Sequence, residues 1–150
     1  MAVEITPNGT YGPNMPPPPR LLRGIIYALI TFMLTRQGVP VFKLTTTGAK
    51  TGKEHTTPLG YFPDGENAWL IVGSNGGSAK HPAWVFNLAR NPDKAWIEID
   101  HRKIQVTPES LKGAAYDKAW NEIAAKAPNY GAYKGKTDRI IPIIRLTPRA

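Results

Sequence analysis

Two glycine-containing loops hold most of the side chains that could bind a ligand. The first loop reads TTGAKTGK over residues 46–53, so Lys50 and Lys53 lie beside two glycines and several hydroxyls. A glycine turn exposes backbone amides that can bind an anion, and lysine adds positive charge. The second loop, SNGGS at residues 74–78, has small side chains that let a planar ligand approach the backbone. The pair favours a phosphate or carboxylate site, although the first loop by itself is more typical of a solvent-exposed hairpin turn.

The other reactive residue types give little support to catalysis by protein groups alone. The chain has no cysteine, and His55, His81 and His101 lack the spacing of a metal site. No nucleophile elbow marks a serine hydrolase, and the carboxylates are too scattered for a glycosidase pair. We therefore predict no metal site, and we expect an enzyme whose cofactor carries the reaction.

The chain is strongly basic, with a formal net charge of +8 and a pI near 9.8. Such a charge favours anionic partners. Nucleic acid is not the predicted partner, because the aromatic residues do not alternate with lysines along strands as a base-stacking surface requires. The absence of cysteine fits a reducing compartment, so we expect a cytoplasmic protein.

Hydrophobic patterns predict the elements that position these loops. Strands are expected at 39–47, 55–62, 68–74, 95–100, 103–107 and 140–146, and helices at 20–36, 82–90 and 108–127. Pro58 cannot donate to a central ladder, which confines its strand to a sheet edge or a bulge. Tyr130 and Tyr133 are expected in a glycine-rich loop. Because strands mostly follow one another directly, the order predicts an α+β, mainly β fold: an antiparallel barrel or strongly curved sheet with flanking helices.

The N-terminal part of the chain has a different composition. Residues 1–19 contain six prolines, which predicts an extended or disordered arm without chemistry, and residues 20–150 then form one domain. No secretion signal is expected. The helix predicted from Arg20 to Arg36 is apolar around nearly its whole circumference. Burial against a sheet is the favoured interpretation, and insertion into a membrane interface is the alternative, since arginines flank the apolar run.

The ordered set of motifs resembles the deazaflavin-dependent nitroreductase family of actinobacteria. The matching motifs are LTTTGAKTG at 44–52, TPL at 57–59, GSNGG at 73–77, KHPAW at 80–84, NL at 87–88 and NP at 91–92. The likeness extends from about Val41 to the DRIIP segment at 138–142, so it covers most of the domain.

This resemblance implies a split β-barrel, like those that bind flavin mononucleotide, with coenzyme F420 as the cofactor. F420 is a deazaflavin with a phosphate and an oligoglutamate tail, and the family passes its hydride to quinones, nitroaromatics or other electron-poor acceptors. The implied cofactor contacts are Ala49, Lys50, Thr51, His55, Thr56, Thr57, Pro58, Leu59, Val72, Gly73, Ser74, Asn75, Ala83, Trp84 and Asn87. Ser74, Tyr130 and Tyr133 are the candidate catalytic hydrogen-bond donors to the acceptor, and the lysines would meet the acidic tail.

The chain departs from the family pattern at four positions. Relatives often have a basic residue where Ala49 stands, an arginine at His55, a lysine at Asn75 and an aromatic residue at Gly60. The first three departures reduce the positive charge near the expected cofactor tail. The fourth is expected to open or reshape the acceptor pocket.

Two other functions are weighed against the oxidoreductase. One is a carrier of flavin mononucleotide or another small molecule on the same barrel, without turnover. The other is a basic, non-enzymatic barrel that binds nucleic acid. For the leading function the expected partners are the anionic cofactor and a small electron-poor acceptor. The chain is expected to be a monomer or a homodimer, with peripheral membrane contact through the first helix left open.

Overall fold

The computed structural model describes residues 2–13 and 18–149. Within them the elements are α1 Arg23–Arg36, β1 Val41–Thr47, β2 Glu54–Gly60, β3 Phe62–Pro63, β4 Trp69–Val72, α2 Ala83–Arg90, β5 Trp96–Ile99, β6 Arg102–Ser110, α3 Gly113–Lys126, α4 Pro128–Tyr133 and β7 Ile143–Pro148. A short 3₁₀ turn, Asn75–Gly77, follows β4.

The strands form one curled sheet in the order β2–β1–β5–β6–β7–β4–β3. Every neighbouring pair is antiparallel. β2 lies at the edge of the sheet, which confirms the position predicted from Pro58. A tight turn at Asp100 and His101, whose φ values are 51° and 62°, joins β5 to β6. The predicted antiparallel, strongly curved sheet with flanking helices is confirmed.

The sheet separates two hydrophobic clusters. One contains Phe42, Leu44, Ile71 and Ile144, with Trp84, Val85 and Leu88 of α2. The other contains Val72, Ile141 and Ile143, with Trp120 and Ile123 of α3 and Tyr130 of α4. Successive residues of β4 and of β7 point to opposite faces, so both strands are buried on both sides. The loop that follows β4 therefore emerges between α2 and the α3–α4 pair.

The predicted start of the late helix was wrong. β6 continues through Pro108, which pairs with Leu146 of β7, and α3 begins only at Gly113. Proline suits a first helical position, which favoured the earlier start. Antiparallel pairing with β7 takes precedence here, because it buries Pro108 between strands.

The predicted loop around Tyr130 and Tyr133 was also wrong, since these residues belong to α4. Pro128, expected only to end α3, occupies the first turn of this new helix. Gly131 allows α4 to pack closely on α3, because a Cβ there would lie 3.1 Å from Cβ of Ala124. The two tyrosines are thus held on a packed helix.

The first helix is not buried, which corrects the favoured interpretation of its sequence. No residue of α1 is buried, and Leu29 and Phe32 remain 59% and 60% exposed. The helix lies on β1 and β2 along one side, where the sheet presents Lys43 and Thr56. This surface is largely polar, and the apolar contacts of α1, with Pro58 and through Leu34 with the cluster that contains α3, leave most of the helix uncovered. Within the described ranges, none of the helices combines the length and the apolar character needed to cross a bilayer.

Residues 2–13 contain no helix or strand, but they lie against the domain. Val3 is buried in the cluster that contains α2. Gly9 donates its amide to the carbonyl of Ala79 at 2.8 Å, and Thr10 donates its amide and hydroxyl to Asp138 at 2.7 and 2.6 Å. The division into an arm (1–19) and a domain (20–150) remains a prediction, and residues 14–17 of that arm lie outside the described residues.

Candidate functional site

The first loop, residues 48–53, is closed by its own backbone. Gly48 donates its amide to the carbonyl of Lys53 at 2.7 Å, and Gly52 donates to the carbonyl of Gly48 at 2.9 Å. Gly52 has a φ of 71°, a conformation that costs glycine little. The side chains of Lys50, Thr51 and Lys53 are exposed. The loop therefore presents two ammonium groups to solvent on a fixed backbone.

Asn87 of α2 holds this loop in place. Its Oδ1 accepts the amide of Ala49 at 3.0 Å, and its Nδ2 donates to the hydroxyl of Thr46 at 3.0 Å. Asn91, one turn later, donates to the carbonyl of Thr47 at 3.1 Å. The Asn87 amide, predicted to face a ligand, thus lies inside the protein. The neighbouring candidates on α2 differ, since Ala83 is exposed and Trp84 is buried in the core.

The candidate contacts on β2 divide between two faces of the sheet. His55, Thr57 and Leu59 share the inner face with the buried residues of β1, whereas Thr56 and Pro58 face α1. The His55 ring lies against the first loop, because a Cβ at Gly48 would be 3.2 Å from its Nε2. One ligand cannot meet side chains on both faces. Any contact of Thr56 or Pro58 with a ligand on the inner face must therefore use the backbone of this edge strand.

The second loop, residues 73–78, begins at a close crossing of backbones. Gly73 donates its amide to the carbonyl of Pro142 at 2.9 Å, and a Cβ at Gly73 would lie 2.7 Å from the Pro142 ring. Asn75 has a φ of 46°, and its side chain donates to the carbonyl of Lys80 at 3.1 Å. Val72 is buried in the core and Ser74 is 9% exposed, so the loop can offer a ligand mainly backbone groups.

Of the two tyrosines of α4, Tyr133 lies beside this second loop, whereas Tyr130 packs against Phe62 and its hydroxyl lies near Gly60 of β2. Their rings meet edge to face at 5.6 Å, and a Cβ at Gly77 would lie 3.4 Å from the carbonyl oxygen of Tyr133. Burial, with a smaller effect of Tyr133, raises the pKa of Tyr130 to about 12. Burial also raises the pKa of Tyr133. Both hydroxyls are therefore protonated at neutral pH and can donate hydrogen bonds.

Gly60 does not leave an opening in the sheet. A Cβ at this position would lie 2.8 Å from Cγ1 of Val39 and 3.1 Å from the hydroxyl of Tyr130. Leu34 of α1 lies close by, at 3.5 Å from the same point. The glycine expected to open the acceptor pocket instead allows the Tyr130 hydroxyl to approach β2.

Sequence reasoning missed Arg139, which lies behind the second loop. Its guanidinium is 4% exposed and donates to the carbonyls of Gly73, Ser74 and Ser78 at 3.0, 2.7 and 2.8 Å. It also donates to Nδ1 of His81 at 2.9 Å. These partners are about sixty residues away in sequence, so no local pattern could indicate them. The one signal was an arginine directly before the apolar segment that forms β7.

Two cavities lie near these loops. A cavity of about 540 Å³ is formed by the N-terminal segment, the start of α3 and residues 137–142, and contains none of the predicted cofactor contacts. A cavity of about 300 Å³ between α1 and the sheet includes Thr56 and Pro58. The predicted contacts on the inner face belong to neither cavity. Both loops contact α2, because Ala49 of the first loop binds Asn87 and a Cβ at Gly73 of the second loop would lie 3.0 Å from Cγ2 of Val85. The surface bordered by α2 and the two loops is called the groove below.

The groove offers ammonium groups, backbone amides and protonated hydroxyls. Such groups bind anions and orient a planar molecule. None of the candidate contacts is a cysteine or carboxylate, and His55 is an exposed imidazole beside the first loop. The residues present therefore suit a cofactor that itself carries the reacting electrons.

Comparisons with known proteins agree with this chemistry. The family model of the F420H(2)-dependent quinone reductases matches residues 30–148. An F420H(2)-dependent quinone reductase of Mycobacterium tuberculosis H37Rv is 38% identical over 113 residues, which covers 73% of this chain and 74% of that protein.

Two solved structures share the fold. An F420-H2 dependent reductase, FDR-A, matches with a TM-score of 0.63 and 33% identity over 71% of this chain and 93% of its own. A second structure, described as a domain-swapped dimer, matches with a TM-score of 0.63 and 29% identity over 82% of this chain and 98% of its own. The first match confirms the predicted split β-barrel. Because the family model covers most of the chain, the protein belongs to the F420H(2)-dependent quinone reductase family, as its loop motifs implied.

Proposed function

We propose that the protein transfers a hydride from reduced F420 to a quinone, and that its two loops bind the cofactor. Family membership carries the activity, and F420 as the cofactor and quinone reduction as the reaction agree with the sequence predictions. The assignment of individual residues is supported by one observation. The Asn87 side chain joins α2 to the first loop, and Gly73 of the second loop packs against Val85 of α2, so both loops contact the same helix.

The residues of this groove fit F420. Lys50 and Lys53 are exposed at the first loop, where ammonium groups can meet a phosphate and an acidic tail. The backbone of Gly73 to Asn75 can approach a planar ring, because the loop has no large side chain at its start. Reduced F420 supplies the hydride when it is bound. The protein binds the ring, orients it and keeps its reacting face beside the acceptor.

The tyrosines of α4 are suited to the acceptor side of the groove. Tyr133 lies beside the second loop, and Tyr130 packs edge to face against Tyr133. Tyrosine hydroxyls are protonated at neutral pH, and burial raises the pKa of both still further. A protonated hydroxyl can donate to a quinone oxygen as negative charge develops there. Ser74 remains a candidate donor, although it is 9% exposed. Nitroaromatic and other electron-poor acceptors stay predictions from the sequence.

The flavin mononucleotide carrier considered as the alternative is not favoured. The matching family is defined by F420H(2)-dependent quinone reduction. A protein purified with a bound flavin, and unable to oxidise reduced F420, would reverse this preference.

Binding of F420 to charge variants tests the proposal. Replacing Lys50 and Lys53 together by glutamine removes both ammonium groups from the first loop. A matched control replaces the exposed lysines Lys118 and Lys126 of α3. We expect weaker F420 binding for the first variant alone, with a difference that shrinks as salt is raised. The proposal fails if the wild-type protein neither binds F420 nor oxidises its reduced form with a soluble quinone.

Two predictions about partners come from the sequence. One is peripheral contact with a membrane through α1, whose apolar side chains are exposed; flotation with anionic vesicles would test it. The other is that the protein is a monomer or a homodimer, and light scattering would distinguish the two. The cytoplasmic location also remains a prediction, which fractionation of cells would test.

A further inference from the structure

We propose that Arg139 is a positioning residue, which fixes the direction of the second loop's amides for cofactor binding. This inference rests on the proposed function of the loop, residues 73–78. It adds a residue that makes no contact with the cofactor and acts only through the loop backbone.

Several backbone carbonyls of the second loop bind one buried cation, the guanidinium of Arg139. Gly73, Ser74 and Ser78 turn their carbonyl oxygens toward the Arg139 guanidinium, at distances of 2.7 to 3.0 Å. No carboxylate pairs with Arg139 among the described residues. Burial lowers its pKa, but an arginine stays charged in proteins. The loop carbonyls and His81 therefore provide all of the partners for a charge that has been removed from water.

Because peptide groups are planar, the direction of these carbonyls also fixes the direction of the amides that follow them. In a trans peptide the carbonyl and the next residue's N–H point in opposite directions, and the described residues contain no cis peptide bond. Because the carbonyls of Gly73 and Ser74 point at Arg139, the amides of Ser74 and Asn75 point away from it. Those two amides are donors that the loop can offer to a ligand. Arg139 thus sets the direction in which they donate.

His81 fixes the guanidinium in turn. Arginine has donors but no acceptor, so Nδ1 of His81 accepts from Arg139, and the ring proton lies on Nε2. Nε2 then donates to the carbonyl of Thr6 at 2.7 Å. Burial is the main cause that lowers the pKa of His81; the Thr6 carbonyl opposes it with a smaller effect, and the charge of Arg139 lowers the pKa slightly further. The ring therefore stays neutral, and it links the N-terminal segment to Arg139.

The N-terminal segment also crosses the end of the loop itself. A Cβ at Gly12 would lie 2.7 Å from the amide nitrogen of Ala79 and 2.9 Å from the carbonyl oxygen of Gly77. Thr10 binds Asp138, the residue before Arg139. The loop is thus held from one side by Arg139 and at its end by residues 9–12.

Arg139→Lys is the sharpest test, because it keeps the charge and removes the planar fork. An ammonium group cannot replace the geometry of three nitrogens that reach three carbonyls. Arg145→Lys is the matched control, since Arg145 is a half-buried arginine that binds Asp64 and Glu109 and has no hydrogen bond to the loop. Amide hydrogen exchange in residues 73–78, measured without cofactor, reports the order of the loop. F420 titration and the separate values of kcat and KM report its effect.

For Arg139→Lys we expect faster amide exchange in residues 73–78. We also expect F420 to bind about tenfold more weakly, which is at the low end of what the loss of one charge-assisted hydrogen bond costs. The control, Arg145→Lys, should match the wild type in amide exchange and in F420 affinity. Arg139→Ala should bind F420 more tightly when guanidinium ion is added, a rescue that a general loss of stability would not give. If the Arg139 variants do not fold, His81→Leu removes one partner of the guanidinium, and a smaller change in the same direction is expected.

Unchanged exchange in a folded Arg139→Lys protein would overturn the inference. So would faster exchange with wild-type F420 affinity, because loop order would then not matter for binding. If the wild-type protein does not bind F420, the proposed function fails. In that case the exchange data alone still decide whether Arg139 orders the loop.

Discussion

Replacing Asn87 by leucine should weaken both the fold and the cofactor site, by separable amounts. The substitution removes the hydrogen-bond partner of the Thr46 hydroxyl and of the Ala49 amide. Thr46 is only 2% exposed, so water cannot readily replace its lost bond. A buried polar group that loses its partner costs about 1–3 kcal/mol. Ala49 is only half-buried, so water can replace part of its bond. We therefore expect a loss of about 2 kcal/mol in the free energy of unfolding, which lowers Tm by roughly 4–8 °C for a domain of this size.

A double-mutant cycle with Thr46→Val distinguishes the two bonds of Asn87. When both partners become apolar, neither is left unsatisfied, so the double variant should be more stable than the sum of the single losses predicts, by about 1 kcal/mol. F420 affinity should not recover in the double variant, because the Ala49 amide still lacks Oδ1 of Asn87. Chemical denaturation and F420 titration measure the two effects. Asn129→Leu is the control, since this exposed asparagine bonds only Gln37 among the described residues.

Additive losses in the cycle would refute the bond between Asn87 and Thr46. Full affinity of Asn87→Leu for F420 would refute the role of Asn87 in holding the first loop. Either result would leave the family assignment unaffected, because neither measures turnover.

Three further predictions concern Ala49, Gly60 and Tyr130. Ala49→Lys should tighten F420 binding by up to about 1 kcal/mol at low salt and less at high salt, as titrations at two ionic strengths would show. Gly60→Ala should lower the free energy of unfolding by about 1–3 kcal/mol, because its Cβ would contact Val39 and the Tyr130 hydroxyl, and a normal Tm would contradict this. Tyr130 has a pKa of about 12 when folded and about 10 when unfolded, so its contribution of roughly 3 kcal/mol is complete below pH 10 and lost as pH rises toward 12. Tyr130→Phe should flatten alkaline unfolding curves over that range.

Local patterns were sufficient to predict most of the sheet. β-Branched runs, glycine turns and the Pro58 edge signal depend on neighbouring residues, and β1, β2, β4, β5 and β7 lie within the predicted ranges to a few residues. Pro108 misled the predicted helix start, because a proline is compatible with a strand end or with a first helical turn, whereas Pro128 correctly marked the end of α3. At Pro108 the choice between strand and helix depended on β7, which is distant in sequence from the competing local signals.

The burial of α1 could not be predicted from its composition. An apolar helix is buried only if the sheet offers it an apolar surface, and apart from Pro58 the sheet presents the polar Lys43 and Thr56 to α1. The same limit applied to Asn87. Its position on α2 was predicted correctly, but its partners Thr46 and Ala49 lie 41 and 38 residues away, and only their proximity in the fold shows that its amide is used inside the protein.

The departures from the family pattern that the sequence predicts at Ala49, His55 and Asn75 would affect charge more than geometry. The backbone of the first loop is fixed by Asn87, and that of the second by Arg139, neither of which is among the departing positions. Ala49 binds Asn87 through its amide, which any side chain would leave in place. Asn75 adopts a φ of 46°, which asparagine tolerates better than lysine does. Compared with a lysine at this position, asparagine would therefore lack the positive charge but strain the turn less. We therefore expect the chain to bind F420 in the family's geometry, with an affinity that is lower and less sensitive to salt than that of relatives with basic residues at these positions.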